Sequence, residues 1–277
     1  NQRKDKIIDW LDNYNKDGAC SSLDLNLSLG VPSYYKNIEI HTQPGSYHGN
    51  PFAGILYHWM INPFLVHRDD DDGMGMALAN AVPERQYNKI LDMGCGIGKS
   101  TFPLCDKFTD SEVHAIDYAA PMLKYAHQLA EQRNKNIKFS QQLAEETSFE
   151  AETFDLVVAL WLFHEIPNKI ADKVIAEAYR ILKPGGVFAL MEGPPYSELN
   201  KNYSPLSAFM LDSSGKRMSD PYLPGFFSRD RIEMIKKGGF EKVYDKKVHR
   251  QLAADSGGNK NLFGPYPWWV SIGEKIN

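Results

Sequence analysis

The sequence is short of the residues that would cross-link or anchor it. It has three cysteines in 277 residues, Cys20, Cys95 and Cys105. An odd number without paired ligand spacing argues against a disulfide framework and fits a reducing, cytoplasmic setting. Long apolar runs are missing as well. The longest early stretch free of charged residues, 40–67, is interrupted by Pro44, Asn50, Pro51, Asn62 and Pro63, which excludes a membrane span. No basic block occurs: 31 Lys and Arg face 35 Asp and Glu, for a formal charge of -4. That balance argues against nucleic acid or an anionic membrane as the main partner. The opening "NQRKDKIIDWLDNY" reads as a charged amphipathic helix and lacks a signal peptide's apolar centre. The first residue is Asn1 rather than Met, which fits a trimmed chain or a domain of a larger assembly; the oligomeric state is left open.

What the chain does contain, from Lys89 onward, is alternation. "KILDM" (89–93), "VHAID" (113–117), "IKFSQ" (137–141), "FDLVVAL" (154–160) and "GVFALME" (186–192) read as buried strands. Helical periodicity fills 99–108, 120–133 and 169–182 between them. This order predicts an α/β fold, a doubly wound Rossmann-like sheet. "LKPGG" (182–186) reads as a helix stop and tight turn. Residues 193–227, rich in Pro, Ser and Tyr, are too long for a plain connection and read as a cap with short helices. "SRDRIEMIKKGGF" reads as a helix, and "EKVYDKKVHR" and "PWWVSIGEKI" as a final antiparallel edge pair. Residues 1–82 read as a helical N-terminal lid, with 83–277 forming the core plus cap.

The glycines after the first core strand decide between nucleotide ligands. A P-loop ending in Gly98-Lys99-Ser100 needs its first glycine at position 93, where Met93 stands. The dinucleotide fingerprint needs glycine at 99, where Lys99 stands. Glycines at 94, 96 and 98 instead let main chain approach a ligand without a pyrophosphate, with positive φ allowed. A tight βα turn without a ligand is the lesser alternative for the glycines alone. The second strand, however, ends in Asp117, 19 residues past Gly98, where a carboxylate meets ribose hydroxyls in such folds.

"ILDMGCGIGKST", "VHAIDYAAPMLKYA", "QQLAEETSFEAETFDLVVALWLFHEIP" and "AEAYRILKPGGVFALME" resemble the successive motifs of the class I S-adenosylmethionine-dependent methyltransferases, in the broad small-molecule group often labelled type 11. The resemblance covers about 83–193 and is specific for fold and cofactor, not for acceptor. It implies S-adenosylmethionine as cofactor. Asp92, Gly94, Cys95 and Gly96 would lie beside its methionine part and Asp117 on the ribose, with Tyr118 and Met122 beside the adenine. Leu143, Ala144 and Glu145 would lie at the adenine edge, and Leu160 at the end of the fourth core strand. The family commonly has an acid where Leu143 stands, so the adenine amino group must turn to Gln142, a backbone carbonyl or water. An unpaired buried donor costs roughly 1–3 kcal/mol.

Ligands in an open parallel sheet collect beyond the strands' carboxyl ends, which places Trp161, His164 and Glu165 near the methyl group. His164 is the candidate base for a hydroxyl acceptor. Packing at the next helix start accounts for it equally well, and Glu165 also fits a helix-start role. In the lid, Tyr47, Tyr57, Trp59 and Phe64 could shield a sulfonium or simply fill a core, and His48 stands beside them. The lid also resembles, more weakly, that of natural-product methyltransferases acting on polyketides. Its histidines, His41, His48, His58 and His67, match no standard zinc spacing, so no metal is expected. Asp69–Asp72 could hold Mg²⁺ or be a solvated helix start. The reading is therefore methyl transfer to a small-molecule acceptor, with O-methylation of a metabolite or natural-product hydroxyl first. N-, C- or S-methylation and a non-catalytic cofactor-binding module are the alternatives.

Overall fold

A computed structural model describes residues 2–65, 72–202, 205–248 and 268–276, without the side chains of 61–65 and 207. The sheet strands are β1 (Ser22–Asp24), β2 (Lys89–Met93), β3 (Glu112–Asp117), β4 (Ile137–Gln141), β5 (Phe154–Leu160), β6 (Leu182–Glu192), β7 (Lys242–Val248) and β8 (Trp268–Glu274). They form one sheet in the order β1-β4-β3-β2-β5-β6-β8-β7. Neighbours are parallel from β1 to β6, while β8 runs antiparallel to both β6 and β7. Every residue of β5 except Asp155 is buried, as a strand covered on both faces requires.

The helices that cover the sheet follow the sequence pattern closely. They are α4 (Thr101–Lys107), α5 (Ala120–Gln132) and α6 (Asn168–Ile181). In α5 the buried residues Met122, Leu123, Ala126 and Ala130 recur at helical spacing. The described residues of the cap include α7 (Tyr196–Asn202), α8 (Pro205–Arg217) and α9 (Leu223–Phe227). A last helix, α10 (Arg231–Lys237), starts with the Asp230 carboxylate accepting from the Glu233 N–H and stops at Gly238 and Gly239. No described helix is long and apolar enough to cross a membrane.

Two places depart from the sequence reading. "LKPGG" does not separate helix from strand: β6 begins at Leu182, which pairs with Phe154 before the register shifts to Val187 opposite Leu156. Gly185, at φ +77°, makes the bend, and its N–H donates to the Lys275 carbonyl. Among the described residues of 1–82 are the α-helices α1 (Gln2–Leu11), α2 (Ala53–Leu65) and α3 (Gly73–Ala81), and also β1, which extends the sheet beside β4. Three residues are too few to show an alternation, so β1 is set by tertiary bonds. The Ser21 hydroxyl donates to Lys135 O at 2.5 Å, and the Cys20 and Ser21 N–H groups donate to the Glu131 carboxylate.

Helix α3 is fitted against the glycine loop so closely that a Cβ on Gly75 would sit 2.1 Å from the Lys99 carbonyl oxygen. Backbone cannot yield there. Gly75→Ala is expected to destabilise by about 3 kcal/mol, the upper end for overpacking. A thermal melt should show it as a fall of at least about 5 °C. The Mg²⁺ reading of the acidic run falls on 69–71, outside the described residues; Asp72 itself accepts from Arg133 Nη1 at 2.5 Å.

Candidate active site

At the carboxyl ends of β2, β3 and β5 a crevice of about 800 Å³, counting its open mouth, runs between the sheet, the lid and the loop after β4. Its floor is the glycine turn. Gly94, Gly96 and Gly98 all take positive φ (69°, 52° and 91°), which glycine alone adopts without strain. Added Cβ atoms at 94 and 98 would strike Leu162 and Phe102 at 2.9 and 2.7 Å. At Gly96 the nearest atom is Met122 Cε at 3.6 Å, so this is where main chain lies open to a ligand.

Asp117 closes one end. Its Oδ2 accepts from the Gly96 N–H and its Oδ1 from the Ala119 N–H, both at 2.9 Å, so the carboxylate is fixed in orientation with lone pairs left over. Burial pushes its pKa up to about 6 against those two bonds. A carboxylate that must be ionised to accept two ribose hydroxyls then loses affinity as pH falls through about 6. We expect S-adenosylhomocysteine binding to be flat from pH 8 to 7 and to weaken toward tenfold per unit below pH 6 in calorimetric titrations.

The other expected cofactor residues are distributed unevenly. Gly94, Cys95, Gly96, Asp117, Tyr118, Met122, Leu143, Ala144, Glu145 and Leu160 all line the crevice. Asp92 does not. It is fully buried beneath the loop, where its Oδ2 accepts from the Ser100 and Thr101 hydroxyls at 2.7 and 2.6 Å and so holds the start of α4. Gln142 lines the crevice, but its Oε1 already accepts from the Ser148 N–H (2.7 Å) and Ser148 hydroxyl (3.1 Å). It is therefore not a free acceptor for an adenine amino group.

The lid contributes more than the sequence suggested. Tyr34, Tyr35, Tyr47 and Tyr57 all line the crevice, and with Tyr118 and Trp161 they supply ring faces of the kind that attract a cation. Tyr35 stacks on Tyr118 with centroids 4.7 Å apart. The Tyr34 hydroxyl donates to Glu145 at 2.6 Å, while the Tyr222 hydroxyl of the cap donates to the Tyr34 carbonyl at 2.7 Å. Lid, core and cap are thus tied together over the crevice. Trp59 is 78% exposed and plays no part; the Phe64 side chain and His67 lie outside the described residues. His48 stands behind the wall, its Nδ1 3.4 Å from the Tyr118 hydroxyl.

Beyond the end of β5 lies an ionisable cluster. Glu165 lines the crevice; His164 does not. His164 Nδ1 is 2.7 Å from Oε2 of Glu192, the last residue of β6, whose Oε1 also accepts from the Phe163 N–H at 2.8 Å. Burial lowers the His164 pKa, but the Glu192 charge and hydrogen bond outweigh it and leave it at about 9. Glu165 Oε1 accepts from the Tyr47 hydroxyl at 3.1 Å and lies 3.5 Å from His41 Nε2. Burial lifts the Glu165 carboxyl, opposed by His41 and His164. His41, Glu192 and Asp220 were missed as functional candidates because their segments meet only in the folded chain.

An open glycine turn, a carboxylate at the end of β3 and aromatic walls suit a nucleoside cofactor carrying a sulfonium. The comparisons agree. A profile of the methyltransferase domain family matches residues 90–186. The ubiquinone/menaquinone biosynthesis C-methyltransferase UbiE of Rhizobium etli is 30% identical over 197 residues, covering 64% of this chain and 73% of that protein. The sterol 24-C-methyltransferase of Candida albicans is 29% identical over 175 residues, 61% of this chain and 44% of that one. The structure of PigF with SAH superposes with TM-score 0.59 at 16% identity, over 82% of this chain and 60% of that one, and shows the shared fold. The chain spans about half the length of several curated relatives it matches. It belongs to the class I S-adenosylmethionine-dependent methyltransferases, and S-adenosylmethionine is its cofactor.

Proposed function

We propose that the enzyme methylates a hydroxyl oxygen of a small organic acceptor seated between the lid tyrosines and Glu165. The observation that carries this is a largely buried carboxylate on the crevice wall beyond β5, 13% exposed and backed by Tyr47, His41 and His164. Methyl transfer from a sulfonium is an in-line displacement, so a neutral hydroxyl must be held about 3–3.5 Å from the methyl and surrender its proton. Glu165, raised by burial, is suited to accept it. His164, the base expected from sequence, is turned to Glu192; its positive charge favours the ionised form of Glu165. Asp117 holds the ribose while the Gly94–Gly98 turn carries the methionine part against bare backbone.

A second reading is supported by the relatives' names, two of which are C-methyltransferases. A ring carbon beside a hydroxyl becomes nucleophilic when that hydroxyl loses its proton, so the same carboxylate serves both reactions. Incubating the enzyme and S-adenosylmethionine with a panel of phenols, enols, alcohols, amines and thiols tests the proposal. We expect a hydroxyl compound to gain one CH₂ in mass and lose its exchangeable hydroxyl proton. Gain of the methyl with that proton retained selects carbon, and methylation of amines or thiols alone refutes both. Cofactor binding with no product across the panel would make the chain a binding module.

A further inference from the structure

We propose that His41, His164 and Asp220 form a binding site for one divalent first-row transition-metal ion of the zinc class, beside Glu165. One ligand atom from each residue lies within 4.8 Å of the other two. His41 Nε2 and Asp220 Oδ1 are 3.5 Å apart, about the separation of two ligands 2.0–2.2 Å from one tetrahedral ion.

Both rings are already oriented by an outer partner. His164 Nδ1 is 2.7 Å from Glu192 Oε2, and Glu192 is itself pinned by the Phe163 N–H. His41 Nδ1 is 2.7 Å from the Tyr47 hydroxyl. With that hydroxyl donating to Glu165, its oxygen accepts from His41 Nδ1–H, so Nε2 is the nitrogen an ion would meet once its proton is displaced. His164 Nδ1–H donates to Glu192 in the same way, so an ion would meet Nε2 by displacing the proton that the imidazolium carries there. A carboxylate or hydroxyl behind each ligating imidazole is the usual outer shell of a metal histidine.

Asp220 is the carboxylate of the set. It is 6% exposed, and its Oδ1, facing His41, has no hydrogen-bond partner among the described residues. The positive group that meets it is His41, 3.5 Å away and held protonated in part by this carboxylate, and a metal ion would take that proton's place. The backbone at His41 and Thr42 is also unusual, with φ +53° and +54° at two consecutive non-glycine residues. Such strain is retained where a side chain must be aimed. Two nitrogen donors and one carboxylate favour zinc, cobalt or nickel over magnesium or calcium. The lid, the turn after β5 and the cap each supply one ligand, which is why the spacing of the lid histidines alone matched no zinc pattern.

The site stands on this geometry. Only its use rests on the O-methylation reading: an acceptor oxygen on the ion's open position would lose its proton at neutral pH.

The test is titration of chelator-treated full-length protein with ZnCl₂ and with CoCl₂, read by calorimetry and by the visible spectrum of bound Co²⁺. One equivalent should bind with sub-micromolar dissociation constant and an intense low-coordinate cobalt spectrum. His41→Ala and Asp220→Ala should each weaken binding at least 100-fold while S-adenosylhomocysteine affinity holds. If either variant fails to fold, Tyr47→Phe should still lower metal affinity 10–100-fold. No stoichiometric ion, or affinity unmoved by these substitutions, overturns the site. A protein that binds the ion but methylates no hydroxyl keeps the site and removes the reading of its use.

Discussion

Replacing Asp117 by Ala should raise the dissociation constant for S-adenosylhomocysteine by 10²–10³ while leaving the free protein folded. Two hydroxyl hydrogen bonds to a half-buried carboxylate contribute about 1.5–3 kcal/mol each, and both vanish with the side chain. The loss is partly offset, because burial already lifts this carboxyl to about 6 and its ionised form is costly in the free protein. The Gly96 and Ala119 N–H groups lose their acceptor as well, so the turn will loosen. Asp117→Asn separates the effects. It keeps the shape but sets an amide N–H₂ against one of the two backbone donors, and affinity should fall while the melting temperature moves by only a few degrees. Equal affinity in both variants would mean that the sugar is held elsewhere.

The second large effect is at Glu165. Changing it to Gln should reduce turnover by 10²–10⁴, the usual contribution of a positioned proton acceptor. Cofactor affinity should stay within about twofold, because the contacts assigned to the nucleoside lie on β2, β3 and the loop after β4. The amide keeps its oxygen available to the Tyr47 hydroxyl, so the pocket should hold its shape. His164→Ala should also slow turnover by removing the charge that favours ionised Glu165 and by stranding Glu192, which is 1% exposed. Unchanged turnover in both would remove proton abstraction from the account, and an amine or thioether acceptor would become the better reading.

The central sheet was legible because its signals are local. Buried runs such as 154–160 alternate with amphipathic helices, and the glycines at 94, 96 and 98 serve a turn whose positive φ values are local needs. That these residues line one crevice was legible for the same reason: they sit at strand ends that the alternation fixes. Asp92 shows the limit. Its place beside the loop was clear, but only the fold reveals that it faces Ser100 and Thr101 rather than the crevice. The acceptor side was hidden. Tyr34, His41, Glu192 and Asp220 come from lid, sheet and cap, and no periodicity relates them. Strand β1 escaped because what holds it is its bonding to Glu131 and Lys135, not its composition. Trp59 misled because an aromatic in an aromatic stretch need not face inward; it is exposed on the outer side of α2.

The most direct test of the account is a crystal structure with S-adenosylhomocysteine bound. Both ribose hydroxyls should donate to the Asp117 carboxylate at about 2.6–2.8 Å, with the homocysteine chain lying on the backbone of Gly94–Gly96 and the sulfur directed toward Glu165. A ligand seated elsewhere, or one whose sugar turns away from Asp117, would contradict it.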